Sequence, residues 1–326
     1  MNYLFLLLLC SWVLQDAAAL RLGLSSAVRV WDAVLKDASP IAATLEQMGS
    51  CHYLFNRAAM TPQSARNSIE AMLHGLLSDL GDTSPYVECW CRDDWMNLDA
   101  HRDVDEFLAR RQDESFELRC PIHAHVLYLD VGARVQGPTC LFLEGNGSSS
   151  GLVKPETRIQ QLVAVPARSG RLLRFPGDVV HAVPRPALCY LDPEEGGSNL
   201  EMHMRVRNEI EHFPDLRRSV LLFNTWAEPP IDVDAFKPSL QGSSSGSSSG
   251  VYLTRLRDWR EVPVQALEEI VSAEQPSVRL KVGVLGDRRR RFASEAFVNL
   301  YTHRGIKVAL QSPEAVHCVA IHHNAV

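Results

Sequence analysis

The most constraining feature of the sequence is a succession of short apolar runs, separated by turn residues, that begins after Tyr86. The runs lie at residues 122–129, 138–143, 160–166, 171–175, 178–183 and 218–226. Short apolar runs bounded by glycine, proline and acidic residues are typical of β-strands. Many such strands in succession predict a mainly β chain, folded as a sandwich or barrel of the jelly-roll kind.

Helical patterns are expected before this region. The sequence at residues 27–50 predicts a helix. A second helix is predicted to begin at Thr61 and Pro62, which suit an N-cap and a first helical position. Apolar residues at helical spacing continue it, namely Ile69, Met72, Leu73, Leu76, Leu77 and Leu80. Gly81 and Asp82 would end it. We expect residues 20–85 to form a helical region that supports a sheet.

The C-terminal part is expected to be separate. Residues 242–250 contain only glycine and serine, a composition typical of a flexible linker. Beyond it, Pro263 suits the first turn of a helix over 264–273, and residues 278–285, 306–310 and 316–321 suit strands. We therefore predict a small α/β appendage at 251–326.

The best candidate for chemistry is the pair His101 and Asp103. On a strand, positions i and i+2 point to the same face, so one imidazole and one carboxylate can reach a single metal ion. His181 is the best candidate for a third ligand. Two histidines and one carboxylate form the facial triad of non-haem Fe(II) oxygenases, which leaves positions free for cosubstrate and oxygen.

A histidine and an aspartate at this spacing also occur outside metal sites. The chain has 12 histidines, and such a pair is often only a solvated polar pair. His101, Arg102 and Asp103 also match the start of a protein kinase catalytic loop. That loop needs asparagine where this chain has Leu108, and neither a glycine-rich phosphate loop nor Asp-Phe-Gly occurs, so we reject the kinase interpretation.

Three segments together carry a resemblance to a known family. They are His101 to Asp103, then His125 to Asp130 with Gly137 to Thr139, and Phe175 to His181. Over roughly residues 86–227 the chain resembles the Fe(II)/2-oxoglutarate-dependent dioxygenase superfamily, nearest to its prolyl 4-hydroxylase-like branch. The resemblance implies a double-stranded β-helix, a jelly-roll and cupin-like fold, as a domain at 86–241.

The resemblance also implies a reaction and its cofactors. The expected activity is hydroxylation of a substrate with release of succinate and CO2, and peptidyl proline is one candidate substrate. Fe(II), 2-oxoglutarate and O2 are the expected cofactors, with ascorbate as a further candidate. His101, Asp103 and His181 would be both the metal ligands and the catalytic centre.

The far carboxylate of 2-oxoglutarate needs a cation, and arginine can bind it with two hydrogen bonds. The family places that cation on the strand after the distal histidine, where this chain has Arg217, Arg218 and Ser219. Strand alternation puts Arg217 and Ser219 on one face and Arg218 on the other. Both arginines remain candidates, and the shared face with Ser219 favours Arg217.

The resemblance implies that Tyr128 adds a hydroxyl hydrogen bond to the same carboxylate. The alternative is that Tyr128 is a half-buried aromatic residue of the sheet with no role in binding. The long interval between His181 and Arg217 departs from the family pattern, so residues 184–216 must be an insertion.

Two other classes of function remain open. One is a cupin-like metal-binding or hydrolase domain that uses the same barrel without 2-oxoglutarate. The other is a non-catalytic secreted interaction protein, against which the complete His/Asp/His set argues. The net charge of -6 gives no reason to expect nucleic acid as a partner.

The N-terminal sequence predicts that the chain is targeted to a cellular compartment. Residues 1–19 combine an apolar stretch with closing small residues, as in a secretory signal peptide, and they are too short for a comfortable membrane span. We therefore expect entry to the secretory pathway and no membrane span in the mature chain. The serine- and arginine-containing residues after position 19 keep open a plastid route through a bipartite presequence.

Asn146 is the acceptor of a glycosylation sequon. The seven cysteines left after position 19 predict thiols or an occasional disulfide.

Overall fold

Two β-sheets form the body of the protein in a computed structural model. The structure describes residues 27–39, 41, 44–45, 52–61, 64–93, 98–111, 118–133, 135, 138–144, 159–183, 217–231, 233, 253–267, 279–284, 294–297 and 314–320. Among these residues, no helix has the length and apolarity needed to cross a membrane.

The strands and helices are short. The strands are β1 (Arg29–Asp32), β2 (Tyr53–Asn56), β3 (Tyr86–Arg92), β4 (Leu98–Arg102), β5 (His123–Val131), β6 (Thr139–Glu144), β7 (Ile159–Val165), β8 (Leu172–Pro176), β9 (Val180–Val183), β10 (Arg218–Trp226), β11 (Arg260–Glu261), β12 (Val264–Leu267), β13 (Arg279–Val284), β14 (Ser294–Phe297) and β15 (Val316–Ala320). Among the described residues, the helices with complete bounds are α1 (Ser68–Asp79), α2 (Glu106–Arg111) and a 3-10 turn at Leu256–Asp258, and residues 39, 41 and 44–45 are also helical.

Strands β3 to β10 wind between the two sheets. The seven-stranded sheet has the order β11-β1-β8-β5-β10-β3-β2, and the eight-stranded sheet has the order β12-β15-β7-β6-β9-β4-β13-β14. From β3 to β6 the chain changes sheet at every step, and from β7 to β10 it does so again. This winding is a double-stranded β-helix, so the fold predicted from the sequence is confirmed.

Two apolar cores follow from the alternation of side chains in the seven-stranded sheet. Between the two sheets lie Val126 and Tyr128 of β5 and Val220 of β10. On the outer face, Leu127 and Leu221 pack with the apolar side of helix α1. Because successive strand residues point to opposite faces, β5 and β10 each contribute to both cores.

The expected helix over residues 27–50 is wrong at its beginning, where the chain forms strand β1. This strand pairs with β8 on one side and with β11 on the other. Such pairing joins residues that are far apart in the sequence, so the local pattern did not reveal it.

The second helix begins later than predicted. Its N-cap is Asn67, whose side chain accepts a hydrogen bond from the backbone N–H of Glu70, whereas Thr61 exchanges turn hydrogen bonds with Ser64. The predicted end is confirmed, because Gly81 follows the helix with a positive φ of 68°.

The helix predicted from Pro263 onward is also wrong, since Val264–Leu267 is a strand. Strands from this C-terminal stretch pair with the main sheets: β11 pairs with β1, β13 with β4 and β15 with β7. The domain boundaries stay a prediction. The predicted strand at 306–310, the linker at 242–250 and the insertion at 184–216 lie outside the described residues.

Asp82 fixes the end of helix α1 against the sheet. Its buried carboxylate pairs with Arg174 of β8 at 2.9 Å and with His123 of β5 at 3.1 Å. It also accepts the backbone N–H of Ser84 at 2.9 Å. Burial alone raises the pKa of Asp82, but the hydrogen bonds from His123 and Ser84 and the charge of Arg174 leave that pKa lowered overall.

We predict that Asp82→Asn lowers the free energy of unfolding by about 3–5 kcal/mol, because the largely buried guanidinium of Arg174 loses its counter-charge. A carboxylate whose pKa is lower in the folded chain stabilises the fold above its unfolded pKa of about 4. The difference between wild type and variant should therefore shrink as the pH falls below about 4. Urea denaturation at several pH values measures it.

The matched control is Asp258→Asn, because that carboxylate forms an exposed pair with Arg257 at 3.8 Å. An exposed pair contributes about 0–1 kcal/mol. An equal loss of stability in both variants would contradict the role assigned to Asp82.

Candidate metal centre and adjoining cavity

Strand pairing brings the two candidate histidines together. Strands β4 and β9 are antiparallel neighbours, and His101 lies directly opposite His181. Residues directly opposite each other on antiparallel strands have side chains on the same face. The two imidazole rings lie 4.3 Å apart between centroids, so they form one edge of a compact site.

Asp103 completes the group just after β4 ends. Its Oδ1 lies 3.8 Å from His101 Nε2 and 3.9 Å from His181 Nε2. The potential ligand atoms of the three residues all lie within 4.8 Å of one another, and no second group of three such residues occurs in the part of the chain that the structure describes. The structure therefore brings together the three residues that the sequence singled out.

Neighbouring groups orient two of these side chains. His181 donates from Nδ1 to the carbonyl of Val179 at 3.1 Å, which leaves Nε2 as the atom that faces Asp103. The side chain of Asn224 donates to Asp103 Oδ2 at 3.1 Å. Such outer contacts fix the tautomer of a metal-binding histidine and the direction of a carboxylate. Two imidazole nitrogens and one carboxylate oxygen fit a divalent transition metal.

The turn before β9 depends on a glycine. A Cβ atom at Gly177 would lie 2.2 Å from the carbonyl oxygen of Pro121, so no larger residue fits at this position. The turn leads into Val180–Val183 and places His181 next to the ring of Phe175, with 5.1 Å between ring centroids. The predicted Pro176–Gly177 turn thus has a steric basis.

The three residues lie on the wall of a cavity of about 740 Å³. This volume is in the range of pockets that hold small organic ligands. Polar residues on its wall other than the three candidate ligands include His52, Glu88, Arg92, Arg102, Asp105, Glu106, Thr139, Arg218 and Asn224. Apolar residues on the wall include Trp90, Leu98, Val104, Phe107, Phe175, Val183, Leu222, Pro230 and Val233.

Arg218 is a buried cation on the wall of this cavity, as is Arg102, which is 6% exposed. Arg218 is only 5% exposed, and its guanidinium lies over the ring of Tyr128, 5.3 Å from the centroid. It donates to the hydroxyl of Thr139 at 3.3 Å, and that hydroxyl lies 2.7 Å from the hydroxyl of Tyr128. Burial lowers the pKa of Arg218. Its Nε has no hydrogen-bond partner among the described residues.

Arg217 and Ser219 face the other way. The side chain of Arg217 is 40% exposed and lies 3.9 Å from Asp130, and Ser219 donates to Asp93 at 2.6 Å. The preference for Arg217 as the inward arginine is therefore wrong, and Arg218, the other candidate, lines the cavity. Residue 218 shares its face with Val220, and Val220 lies in the core between the sheets.

Several residues of the cavity wall were not found from the sequence. Asn224 is six residues after Arg218 on β10, so strand alternation places both side chains on the same face. The sequence alone could therefore have predicted that Asn224 faces the cavity. Glu88 and Trp90 come from β3, opposite Asn224 and Leu222 of β10. Their position depends on the pairing of β3 with β10, which the local sequence does not reveal.

Comparison with known proteins adds structural likenesses of low identity. No family model matches the chain, and no curated protein matches its sequence. The structure is similar to a prolyl-4-hydroxylase of Pseudomonas putida, with 16% identity, 66% of this chain and 94% of that chain covered, and a TM-score of 0.35.

Two further likenesses have similar scores. HygX from Streptomyces hygroscopicus, with nickel and 2-oxoglutarate bound, has 14% identity, covers 70% of this chain and 94% of its own, and has a TM-score of 0.34. SnoN from nogalamycin biosynthesis, a non-haem α-ketoglutarate-dependent epimerase, has 13% identity, covers 74% of this chain and 100% of its own, and has a TM-score of 0.36.

We predict that Asp103→Ala abolishes binding of a divalent transition metal, because it removes the one anionic ligand. Asn224→Ala should weaken binding about 10–100-fold, since it removes only the group that orients Asp103. Calorimetric titration with Co(II) measures both. Asn56→Ala, at an exposed position on β2, is the control and should bind as the wild type does. Unchanged affinity in Asp103→Ala would contradict the assignment of the site.

Proposed function

We propose that the protein is an Fe(II)- and 2-oxoglutarate-dependent dioxygenase that hydroxylates an organic substrate and releases succinate and CO2. One observation supports this most strongly. A two-histidine, one-carboxylate cluster and a buried arginine line the same cavity.

The cluster has the composition that suits Fe(II). Two neutral imidazoles and one carboxylate would leave a bound divalent ion with one residual positive charge and open coordination positions. When bound, Fe(II) supplies the activation of O2, with 2-oxoglutarate as the source of electrons. The role of His101, Asp103 and His181 is to hold the ion, while Asn224 and the carbonyl of Val179 hold two of these ligands in place.

The buried arginine suits the cosubstrate. A guanidinium taken out of water needs an anion, and a carboxylate accepts its hydrogen bonds with matching geometry. We assign Arg218 as the residue that binds the far carboxylate of 2-oxoglutarate. The linked hydroxyls of Thr139 and Tyr128 lie beside that guanidinium, and we expect them to donate to the same carboxylate.

The same arginine counts against the cupin-like alternative. A metal-binding or hydrolase domain that does not use 2-oxoglutarate has no need for a desolvated guanidinium on the wall of its metal cavity. For the prime substrate, peptidyl proline remains a candidate from the resemblance of the sequence motifs.

The test is succinate release from 2-oxoglutarate, with Fe(II) and ascorbate present, over a panel of peptides and small metabolites. We predict that Arg218→Ala raises the KM for 2-oxoglutarate at least about 100-fold, because removing a buried partner costs about 3–5 kcal/mol. The matched comparison is Arg217→Ala, which should change KM little, since an exposed pair contributes about 0–1 kcal/mol.

Two results would contradict the proposal. If the wild type never consumes 2-oxoglutarate, the proposed reaction is wrong. If it does, but Arg217→Ala and Arg218→Ala behave alike, the assignment of the cation is wrong. Metal binding should remain nearly intact in both variants, which separates loss of cosubstrate affinity from loss of the metal.

We further propose that the chain enters the secretory pathway. Residues 1–19 support this, and so does Cys91, which is disulfide-bonded, because disulfides persist in oxidising compartments. We predict that Asn146 carries a glycan in the expressed protein, and a mass shift on glycosidase treatment measures it. Cytosolic protein that retains residues 1–19 would refute the proposal, and recovery from plastids would favour the bipartite route.

A further inference from the structure

Besides Arg218, the cavity wall contains Arg92 and Arg102, which the proposed reaction does not use. Arg102 already interacts with another group. Arg92 is the last residue of β3 and lies opposite Val220 of β10. Directly paired residues share a face of the sheet, and Val220 lies in the core between the sheets. Arg92 therefore projects to the inner side, and it lines the cavity together with Asp103 and Arg218.

The guanidinium of Arg92 has no hydrogen bond or ion pair with any residue that the structure describes. Burial lowers its pKa, the charge of Asp103 raises it, and the charge of Arg218 lowers it again. A partly desolvated cation without a hydrogen-bonded partner is costly. The attraction of Asp103 outweighs the repulsion from Arg218, so burial is the main cost. An anion that enters the cavity and binds Arg92 would reduce that cost.

Glu88, the acidic residue on the same face of β3 as Arg92, already has hydrogen-bond partners. Glu88 accepts hydrogen bonds from His52 at 2.8 Å and from the indole N–H of Trp226 at 3.0 Å. The hydrogen bond to Glu88 raises the pKa of His52, so the histidine favours its charged form beside that carboxylate. Glu88 is thus held by its own partners and does not serve as the anion for Arg92.

The surface between these two charges is aromatic and apolar. Trp90 lies between Glu88 and Arg92 on the inner row of β3, opposite Leu222 of β10. Its ring packs edge-on against His52, with 5.9 Å between centroids. Both Trp90 and Leu222 line the cavity, so an apolar group can lie along them while an anionic group reaches Arg92.

We propose that Arg92 binds a carboxylate of the prime substrate, whose apolar or aromatic body lies along Trp90 and Leu222. The substrate class is therefore an organic acid, or a peptide that presents a carboxylate near the reacting carbon. This inference rests on the proposed function, because it assumes that Arg218 is occupied by the cosubstrate. Trp90 and Leu222 set the shape of the substrate, and Arg92 sets its charge.

The experiment compares 3-phenylpropionate with its neutral amide, 3-phenylpropanamide, as probes. Binding to the full chain is measured by calorimetry under anaerobic conditions, with Fe(II) and 2-oxoglutarate present. We expect the wild type to bind the carboxylate at least about tenfold more tightly than the amide. Arg92→Gln should remove this preference, Arg92→Lys should retain part of it, and Arg257→Gln, at an exposed position, should retain all of it.

A second set of measurements tests whether Arg92 binds the substrate rather than the cosubstrate or the metal ligand Asp103. In Arg92→Gln, the KM for 2-oxoglutarate and the affinity for Co(II) should stay within about twofold of the wild-type values. A tenfold rise in that KM would show that Arg92 binds the cosubstrate, and a tenfold loss of Co(II) affinity would show that it serves Asp103. Either result overturns the proposal, as does equal binding of the two probes by the wild type.

Failure of the proposed function is recognisable in the same set of measurements. If the wild type consumes no 2-oxoglutarate but still prefers the carboxylate probe through Arg92, the reaction is wrong and the anion site stands. If 2-oxoglutarate is consumed and the probe preference is absent, the reaction stands and the anion site is wrong.

Discussion

The candidate site depends on the hydrogen-bonded pairing of β4 with β9. These strands are separated by almost eighty positions in the sequence, and the register that sets His101 opposite His181 brings two imidazoles into contact. A shift of one residue would send one of the rings to the other face of the sheet. The winding of β3 to β10 between two sheets maintains this register, because β9 also pairs with β6 in the interior of the eight-stranded sheet.

Strand β10 connects the stability of the fold to the chemistry of the cavity. Its odd-numbered residues, such as Leu221 and Phe223, pack in the core beneath helix α1. Its even-numbered residues include Arg218, Leu222 and Asn224, which line the cavity. Because the two sets alternate along one backbone, packing against α1 fixes the direction in which the functional side chains point. The helix thereby supports the site without contributing a residue to its wall.

Local patterns predicted the strands well because each strand has its own apolar content and turns. The strand at 218–226 was predicted with the bounds that the structure has, and the three candidate ligands were found from spacing and resemblance. The sequence left both arginines as candidates and favoured Arg217, whereas Arg218 is the one on the cavity wall. The outward phase of Leu221 and Phe223 already indicated that Arg218 faces inward. Strand β1 and the wall formed by β3 were missed, since they depend on pairing between distant segments.

The arginines of the cavity come from three strands, with Arg92 on β3, Arg102 on β4 and Arg218 on β10. Arg218 lies beside the hydroxyls of Tyr128 and Thr139, whereas Arg92 lies on the neighbouring strand β3. A single arginine could neutralise one carboxylate, whereas guanidiniums on separate strands suit the two anion positions that we propose along this wall. Burial makes these guanidiniums costly when no anion is bound, although the attraction of Asp103 offsets the repulsion between Arg92 and Arg218. Such a local cost is expected where a fold is adapted to bind charged ligands, and it is concentrated here next to Asp103.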